Sequence, residues 1–180
     1  MEESVRVEKS GSVEKSSIAE KSVSAENNVS VETSKNMKKG NVDLIAYMKE
    51  AFYLPAVDVD RYSPLALAYI GDGVYELIIR TILVEQGNTK AGKLHKRASA
   101  LVKASAQSAM MEVLKPLLTD QEMAVYKRGR NAKSPTMAKN ATVADYRRAT
   151  GFEALIGWLY LNGEYKRMVD LVKAGLKEVA

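Results

Sequence analysis

The sequence predicts an all-α domain that follows a disordered N-terminal tail. Three observations predict this fold. After residue 40 the apolar residues recur at i, i+3, i+4 spacing, helix-capping signals bound these segments, and no segment alternates apolar and polar residues as a strand does. The chain has 180 residues, of which 46% are hydrophobic, so one domain can build a proper core.

Residues 1–40 are predicted to form the tail. An imperfect six-residue repeat places Glu at positions 8, 14, 20, 26 and 32, a period that matches neither a coiled coil nor a strand. Its Ser, Glu and Lys composition buries too little apolar surface to offset chain entropy. The tail has seven acidic and seven basic residues, which leaves 20 cations and 15 anions in the predicted domain, residues 41–180. The net charge of +5 therefore belongs to the domain.

The first two helices of the domain are bounded by capping signals. Asn41 is expected to cap a helix that ends before Pro55. Ser63 followed by Pro64 opens a long helix that runs to about Gln86. Because this second helix is apolar on nearly every side, we expect it to be the buried centre of the domain.

Four further helices are predicted. One runs from about residue 91 to residue 114 and stops at Pro116. Thr119 and Glu122 form a capping box for the next, which ends at Gly129. After a Pro-containing loop, the last two helices cover about residues 142–162, closed by Gly163, and 164–179.

The composition excludes several classes of protein. The chain has no cysteine and one histidine, His95, so it holds neither disulfides nor thiolate metal sites, and oxygen ligands for a hard cation such as Mg²⁺ become the default. No long uncharged apolar run and no secretory signal is present. We therefore expect a cytoplasmic protein.

Two acidic residues interrupt the long apolar helix. In YIGDGVYE, residues 69–76, Asp72 and Glu76 lie at i, i+4 on one face. Gly71 and Gly73 flank Asp72 and leave space for close approach, although glycine costs about 1 kcal/mol inside a helix. The simpler alternative is that these acids pair with Arg80 or with a cation on another helix.

A third acid, Glu153, lies in a second apolar helical run that is rich in small residues, ATGFEALIGWLYL at 149–161. Carboxylates from two buried helices that meet at small residues would make the oxygen site that a divalent metal requires. The pair Asp72 and Glu153 is therefore a candidate metal site.

Both segments resemble the ribonuclease III family. Residues 69–76 are similar to its FLGDAVLE signature and residues 149–161 to its ADAFEALIGAIYLD segment, and AGKL at 91–94 is a weaker match to its EGxL. The segment YRRATGFEAL resembles Mini-ribonuclease III, the short bacterial branch of the family, whose members trim precursor 23S ribosomal RNA. That branch has no double-stranded-RNA-binding domain, and the chain end about 17 residues past the second motif is similar to its short architecture.

The resemblance implies a Mg²⁺-dependent endoribonuclease that leaves 5′-phosphate and 3′-hydroxyl ends, with Asp72 and Glu153 as metal ligands. The family's two other ligands fall at Ala68 and Thr150. The metal would complete its shell with water, Thr150 and the scissile phosphate, and Glu76 would support the site or form an ion pair. Because Ala68 and Thr150 replace two ligands, an inactive RNA-binding or ribosome-associated module remains an alternative. A DNA-binding protein would need a recognition helix, which the sequence lacks.

A basic stretch leads into the helix of Glu153, and we expect it to contact the RNA backbone, although a solvated loop is the simpler alternative. Its cations are Lys127, Arg128, Arg130, Lys133, Lys139, Arg147 and Arg148. A second, weaker run holds Lys93, Lys96, Arg97 and Lys103, and His95 among them is expected at the surface.

Four aromatic residues at helical spacing are expected in the core or in a dimer interface: Tyr69, Tyr75, Trp158 and Tyr160. A homodimer would bring one site to each strand of double-stranded RNA, the expected partner.

Overall fold

A computed structural model describes residues 43–133 and 142–179. These residues form helices and two short 3₁₀ turns, and the described part contains no strand, as predicted. The helices are α1 (Leu44–Ala51), α2 (Pro64–Glu85), α3 (Ala91–Val102), α4 (Ala104–Leu114), α5 (Asp120–Asn131), α6 (Val143–Leu161) and α7 (Tyr165–Val179). The 3₁₀ turns are Val59–Arg61 and Lys115–Leu117. The predicted tail, residues 1–40, lies outside the described residues.

Helix α1 begins later and ends earlier than predicted. The predicted cap, Asn41, lies outside the described residues, and the carboxylate of Asp43 accepts a hydrogen bond from the Ile45 N–H at 2.9 Å. The helix ends at Ala51 because Tyr53 has a φ of 50°, in the left-handed region that a helix cannot continue through.

Helix α2 starts where the sequence predicts. The Ser63 hydroxyl accepts a hydrogen bond from the Ala66 N–H at 3.1 Å, and Pro64 occupies the first turn. The expectation that α2 is the buried centre of the domain is wrong. It packs on α3, α5 and α6, and this leaves one side uncovered, with Tyr69 86%, Leu77 63% and Val84 57% exposed.

The single helix predicted for residues 91–114 is two helices. The chain becomes extended at Lys103, with φ −64° and ψ 148°, and this separates α3 from α4. Two side-chain hydrogen bonds hold the end of α3. Gln107 Nε2, five residues along the chain, donates to the Val102 carbonyl at 3.0 Å, and the Tyr75 hydroxyl of α2 donates to the Leu101 carbonyl at 3.2 Å. The break carries neither Gly nor Pro, so local sequence does not reveal it.

Helix α6 is the buried centre of the domain. It packs against α2, α4, α5 and α7, and Phe152, Leu155 and Ile156 are fully buried. Its start agrees with the prediction, because the Thr142 hydroxyl accepts from the Asp145 N–H at 3.0 Å. The helix closes before Gly163, whose φ of +74° is accessible to glycine. Glu153, the acid of the second motif, is thus held on the central helix.

Glycines allow α2 and α6 to cross with their backbones in contact. A Cβ added at Gly71 would lie 1.8 Å from the Glu153 carbonyl oxygen, and one at Gly157 would lie 2.0 Å from the Leu67 carbonyl oxygen. By contrast, a Cβ at Gly73 would meet nothing within 4 Å. Gly71 therefore serves helix packing, and only Gly73 leaves open space beside Asp72. The sequence predicts such space at both glycines, and this prediction is wrong for Gly71.

Helix α5 is joined to α7 through its capping box. As predicted, the Thr119 hydroxyl accepts from the Glu122 N–H at 3.3 Å, and the Glu122 carboxylate accepts from the Thr119 N–H at 2.8 Å. The carboxylate also accepts two hydrogen bonds from Arg167, each of 2.8 Å, and it is only 4% exposed. These bonds, chiefly those from Arg167, lower the pKa of Glu122.

The substitution Glu122→Gln should lower the free energy of unfolding by about 1–3 kcal/mol at neutral pH, because the amide keeps the cap but loses the charge-assisted bonds to Arg167. Since the folded pKa lies below the unfolded value, this contribution is present above about pH 4.5 and is lost as the pH falls through the folded pKa. Urea unfolding of both proteins between pH 3 and 7 measures the difference, which should shrink in acid. A difference that stays constant across this range would contradict the ionic origin.

Candidate active site

A cleft of about 670 Å³ lies between α2 and α6 and contains both motif acids. It is lined from α2 by Leu65, Ala68, Tyr69, Ile70, Asp72 and Gly73, and from α6 by Tyr146, Thr150 and Glu153. Residues that are 81 positions apart in the sequence, Asp72 and Glu153, are thus brought to one cleft. The glycine crossing beside them explains why the two helices come this close.

The two carboxylates differ in their surroundings. Asp72 lies on the open side of the cleft, whereas Glu153 is half-buried. Burial raises the pKa of Glu153 to about 7, the charge of Asp72 adds to the rise, and a hydrogen bond from the Gln107 side chain opposes it. Partial desolvation, and then the charge of Glu76, raise the pKa of Asp72. Each carboxylate is therefore harder to ionise here than in water, and a cation between them would offset that cost.

Ala68 and Thr150, at the positions of the two absent family ligands, line the same cleft. The Thr150 hydroxyl donates to the Tyr146 carbonyl at 3.0 Å, so its oxygen can still accept a hydrogen bond but brings no charge. Within residues 43–133 and 142–179, no group of three or more His, Cys, Asp or Glu residues could hold a metal ion. Within the described residues, a cation in this cleft would therefore have two carboxylate ligands, those of Asp72 and Glu153.

Glu76 does not line the cleft, and its carboxylate forms an ion pair with Arg80 one turn along α2. The ion-pair alternative is thus correct for Glu76. It does not apply to Asp72, for which the described part of the chain shows no salt bridge. Glu76 still acts on the site at a distance, since its charge raises the pKa of Asp72.

The predicted RNA-contacting cations lie mainly at the end of α5 and the start of α6. Lys127, Lys133 and Arg147 are exposed. Three others have partners inside the domain: Arg128 with the Asp60 carbonyl at 3.1 Å, Arg130 with Asn131 at 3.2 Å, and Arg148 with Glu112 at 3.3 Å. Lys139 lies outside the described residues. Arg148 is thus partly engaged in holding α6 to α4.

The remaining predicted residues separate into core and surface. Tyr75 and Trp158 are buried, and Trp158 Nε1 donates to Asp60 at 2.7 Å. Tyr160 packs against Tyr165 with ring centroids 6.0 Å apart. Tyr69 is exposed, so the core interpretation is wrong for it, because it lies on the uncovered side of α2. His95 is exposed as expected, on a second cavity of about 340 Å³ that contains no carboxylate.

Two functional candidates could not be found from the sequence. Gln107 on α4 opposes the rise in the pKa of Glu153, and Asp60 joins Trp158 to Arg128. Each is a single polar residue without a distinctive spacing.

In the part of the chain that the structure describes, no helix is long and apolar enough to span a membrane.

An all-helical domain with two acids facing one cleft from crossed helices has the form of an endoribonuclease domain. The Ribonuclease III domain model matches residues 65–164, which include Asp72, Glu153 and more than half of the chain. The chain belongs to the ribonuclease III family, in its Mini-ribonuclease 3 branch, and is an endoribonuclease.

Similar proteins support this assignment. A Mini-ribonuclease 3 from Clostridium tetani is 49% identical over 117 residues, which are 64% of this chain and 78% of the relative. One from Enterococcus faecalis is 47% identical over 68% of this chain and 94% of its own length. A crystal structure of a protein from Fusobacterium nucleatum, 31% identical, superposes with a TM-score of 0.62 over 68% of this chain and 98% of that one.

Proposed function

We propose that this endoribonuclease cuts double-stranded RNA in a Mg²⁺-dependent reaction that leaves 5′-phosphate and 3′-hydroxyl ends. The observation that carries the proposal is the placement of Asp72 and Glu153 in one cleft between α2 and α6. The resemblance to Mini-ribonuclease III favours precursor 23S ribosomal RNA, in the cytoplasm, as the natural substrate.

The donor set fits Mg²⁺. The cleft offers two carboxylates and the Thr150 hydroxyl oxygen, which are hard ligands, and the chain has no cysteine to favour a softer metal. When bound, Mg²⁺ supplies a Lewis acid for the phosphate and an activated water as the nucleophile. It commonly keeps several waters and binds proteins through only one or two carboxylates, so the absence of acids at 68 and 150 is compatible with binding.

Each residue of the cleft has a distinct task in this proposal. Glu153, held in the central helix α6, provides a fixed anion, and Asp72 provides a second one on the open side, where the RNA backbone enters. Thr150 accepts a hydrogen bond from water or substrate, since its own proton is committed to the Tyr146 carbonyl. The small side chain at Ala68 and the missing one at Gly73 keep the cleft open for a phosphate.

A second candidate function is a catalytically inactive RNA-binding or ribosome-associated module. It is favoured because the described chain has no group of three or more His, Cys, Asp or Glu residues that could hold a metal ion. Incubating the purified protein with a long RNA duplex, with Mg²⁺ or with a chelator, separates the two. Metal-dependent cleavage with 5′-phosphate ends supports the enzyme, and duplex binding without any cleavage supports the inactive module.

We propose that the protein is an isologous homodimer and cuts the two strands with a stagger. The uncovered side of α2 supports this, because Tyr69, Leu77 and Val84 expose apolar surface along one helix. Two symmetric sites also match the two-fold symmetry of a duplex backbone.

The substitution Leu77→Glu should therefore convert the dimer to a monomer, as measured by light scattering at micromolar concentration. Val169→Glu is the matched control, because Val169 is also an exposed aliphatic residue, at 48%, but belongs to α7. The control should remain dimeric. A wild-type monomer with full activity on duplex RNA would refute the dimer.

Replacing Arg128, Arg130 and Lys133 by Ala should weaken binding of duplex RNA about equally for all sequences. It should reduce the slope of log K against log salt by about 0.9 for each lost phosphate contact. The control removes three cations of α7, Lys166, Lys173 and Lys177, and should leave the slope unchanged. An unchanged slope in the α5 variant would place this surface away from the RNA. Thermal unfolding of the α5 variant measures the stability that is lost with the hydrogen bond from Arg128 to the Asp60 carbonyl.

A further inference from the structure

The carboxylate of Glu112 lies between two cations where α4 packs on α6. Lys115 Nζ is 3.2 Å from both Glu112 Oε1 and Glu112 Oε2, and Arg148 Nη1 is 3.3 Å from Oε1. Glu112 is the only acidic residue of the sequence between Gln86 and Thr119. A single anion thus neutralises two cations that belong to separate parts of the chain.

Arg148 has a second partner on α4, and this partner carries no charge. Arg148 Nη1 donates to the Ser108 hydroxyl at 3.4 Å, and Ser108 is only 2% exposed. Because Ser108 is buried on α4, its oxygen can orient the guanidinium with or without Glu112. Both contacts use Nη1, and a guanidinium has further N–H donors, so Nε and Nη2 can bind an outer anion.

The ion pair between Glu112 and Arg148 is open to solvent. The side chain of Glu112 is 54% exposed and that of Arg148 is 39% exposed. Exposed ion pairs contribute little to stability, so this pair can separate at small cost. An anion from solution can therefore reach Arg148, and the Glu112 side chain can move away from it.

The position of Arg148 on α6 separates it from the cleft. Tyr146 and Thr150, which line the cleft, are each two residues from Arg148, so Arg148 faces the other side of the helix. A helix with its side chains is about 10–12 Å across. A phosphate at Arg148 would therefore belong to a different nucleotide from the one at the cleft, and this contact would act on binding.

We propose that Lys115 and Arg148 form a phosphate-binding subsite for duplex RNA, in which the Glu112 carboxylate takes the place of the phosphate until RNA arrives. The inference rests on the proposed binding of duplex RNA. Arginine suits this ligand because its guanidinium binds phosphate oxygens in pairs. An incoming phosphate must displace Glu112 or bind beside it, and either way the negative charge of Glu112 weakens binding. A duplex that also contacts the cleft offsets this cost more readily than an RNA that contacts Arg148 alone.

The test removes the charge of Glu112 and keeps its shape. Glu112→Gln retains an oxygen that can accept from both cations. Its Kd for an RNA duplex, measured in chelator so that no cleavage occurs, should be about 3–10-fold lower, because two like charges about 4 Å apart in water cost about fivefold in affinity. The slope of log K against log salt should become steeper by about 0.9, as for one additional phosphate contact.

Asp170→Asn is the matched control. Asp170 on α7 is 52% exposed and pairs with Lys166 at 2.7 Å, so this variant also removes one exposed negative charge that is paired with lysine. It has the same net charge as Glu112→Gln, but its Kd and salt slope should stay close to those of the wild type. In an Arg148→Gln background, Glu112→Gln should give a smaller gain, because one of its two cations is already removed.

The outcomes separate this inference from the proposed function. Tighter binding with a steeper salt slope in Glu112→Gln, but not in Asp170→Asn, supports the inference. Equal gains in both variants would overturn it, since they would reflect net charge alone. Unchanged or weaker binding by Glu112→Gln would also overturn it, and weaker binding would mean that Glu112 positions Arg148 for RNA. A wild type that binds no duplex RNA would overturn the proposed function and this inference with it.

Discussion

Asp72→Asn should reduce cleavage of duplex RNA by roughly a thousandfold or more, while folding and RNA binding stay intact. The amide keeps the shape of the carboxylate but has no charge for a cation. A bound metal contributes several kcal/mol of charge stabilisation, and about 4 kcal/mol corresponds to a thousandfold in rate. The open position of Asp72 on the cleft means that the substitution disturbs no described salt bridge.

Glu76→Gln is the matched control. It removes one carboxylate from the same helix, four residues away, but that carboxylate is paired with Arg80 and does not line the cleft. It should retain most of the activity. Single-turnover cleavage at saturating protein, with binding measured in chelator, provides both readouts. Near-normal turnover of Asp72→Asn, or an equal loss in Glu76→Gln, would contradict the assignment of Asp72.

Gly71→Ala should destabilise the domain by about 4 kcal/mol or more, and it is expected to prevent folding at physiological temperature. The added Cβ would lie 1.8 Å from the Glu153 carbonyl oxygen and 2.7 Å from the Gly157 nitrogen, both backbone atoms that belong to the central helix. Backbone cannot rotate away as a side chain can, so α2 would have to separate from α6. This loss is large relative to a total stability of about 5–15 kcal/mol.

Gly73→Ala, two residues along the same helix, isolates the effect of the crossing. Its Cβ would enter open space, and alanine is favoured over glycine inside a helix by about 1 kcal/mol, so this variant should be as stable as the wild type or slightly more stable. Circular dichroism during thermal unfolding measures both. Similar melting temperatures for the two variants would show that the crossing is more adaptable than the backbone contact implies.

The features that the sequence predicts best are those that depend on neighbouring residues alone. The caps at Ser63 and Thr119 are both present, because each needs only a hydroxyl and the first turn of its own helix. The break at Lys103 was missed for the opposite reason. It is stabilised in part by Tyr75, which lies on α2 and reaches the end of α3 only in the folded domain.

The candidate site shows the same division. Asp72 and Glu153 could be paired from the sequence because the two helical segments that carry them resemble the two ribonuclease III motifs. The sequence left Tyr69 to either the core or a dimer interface, because helical spacing among aliphatic residues does not show which side of α2 the other helices leave uncovered.

The backbone contact between Gly71 and Gly157 has a consequence for how this domain can evolve. Where helices are separated by side chains, each change of residue volume in the core alters their distance. Here main chain touches main chain beside Asp72 and Glu153, so at this crossing the separation is set by backbone and not by the volume of a side chain. Mutations can therefore accumulate in the outer core while the separation of the two acids stays the same.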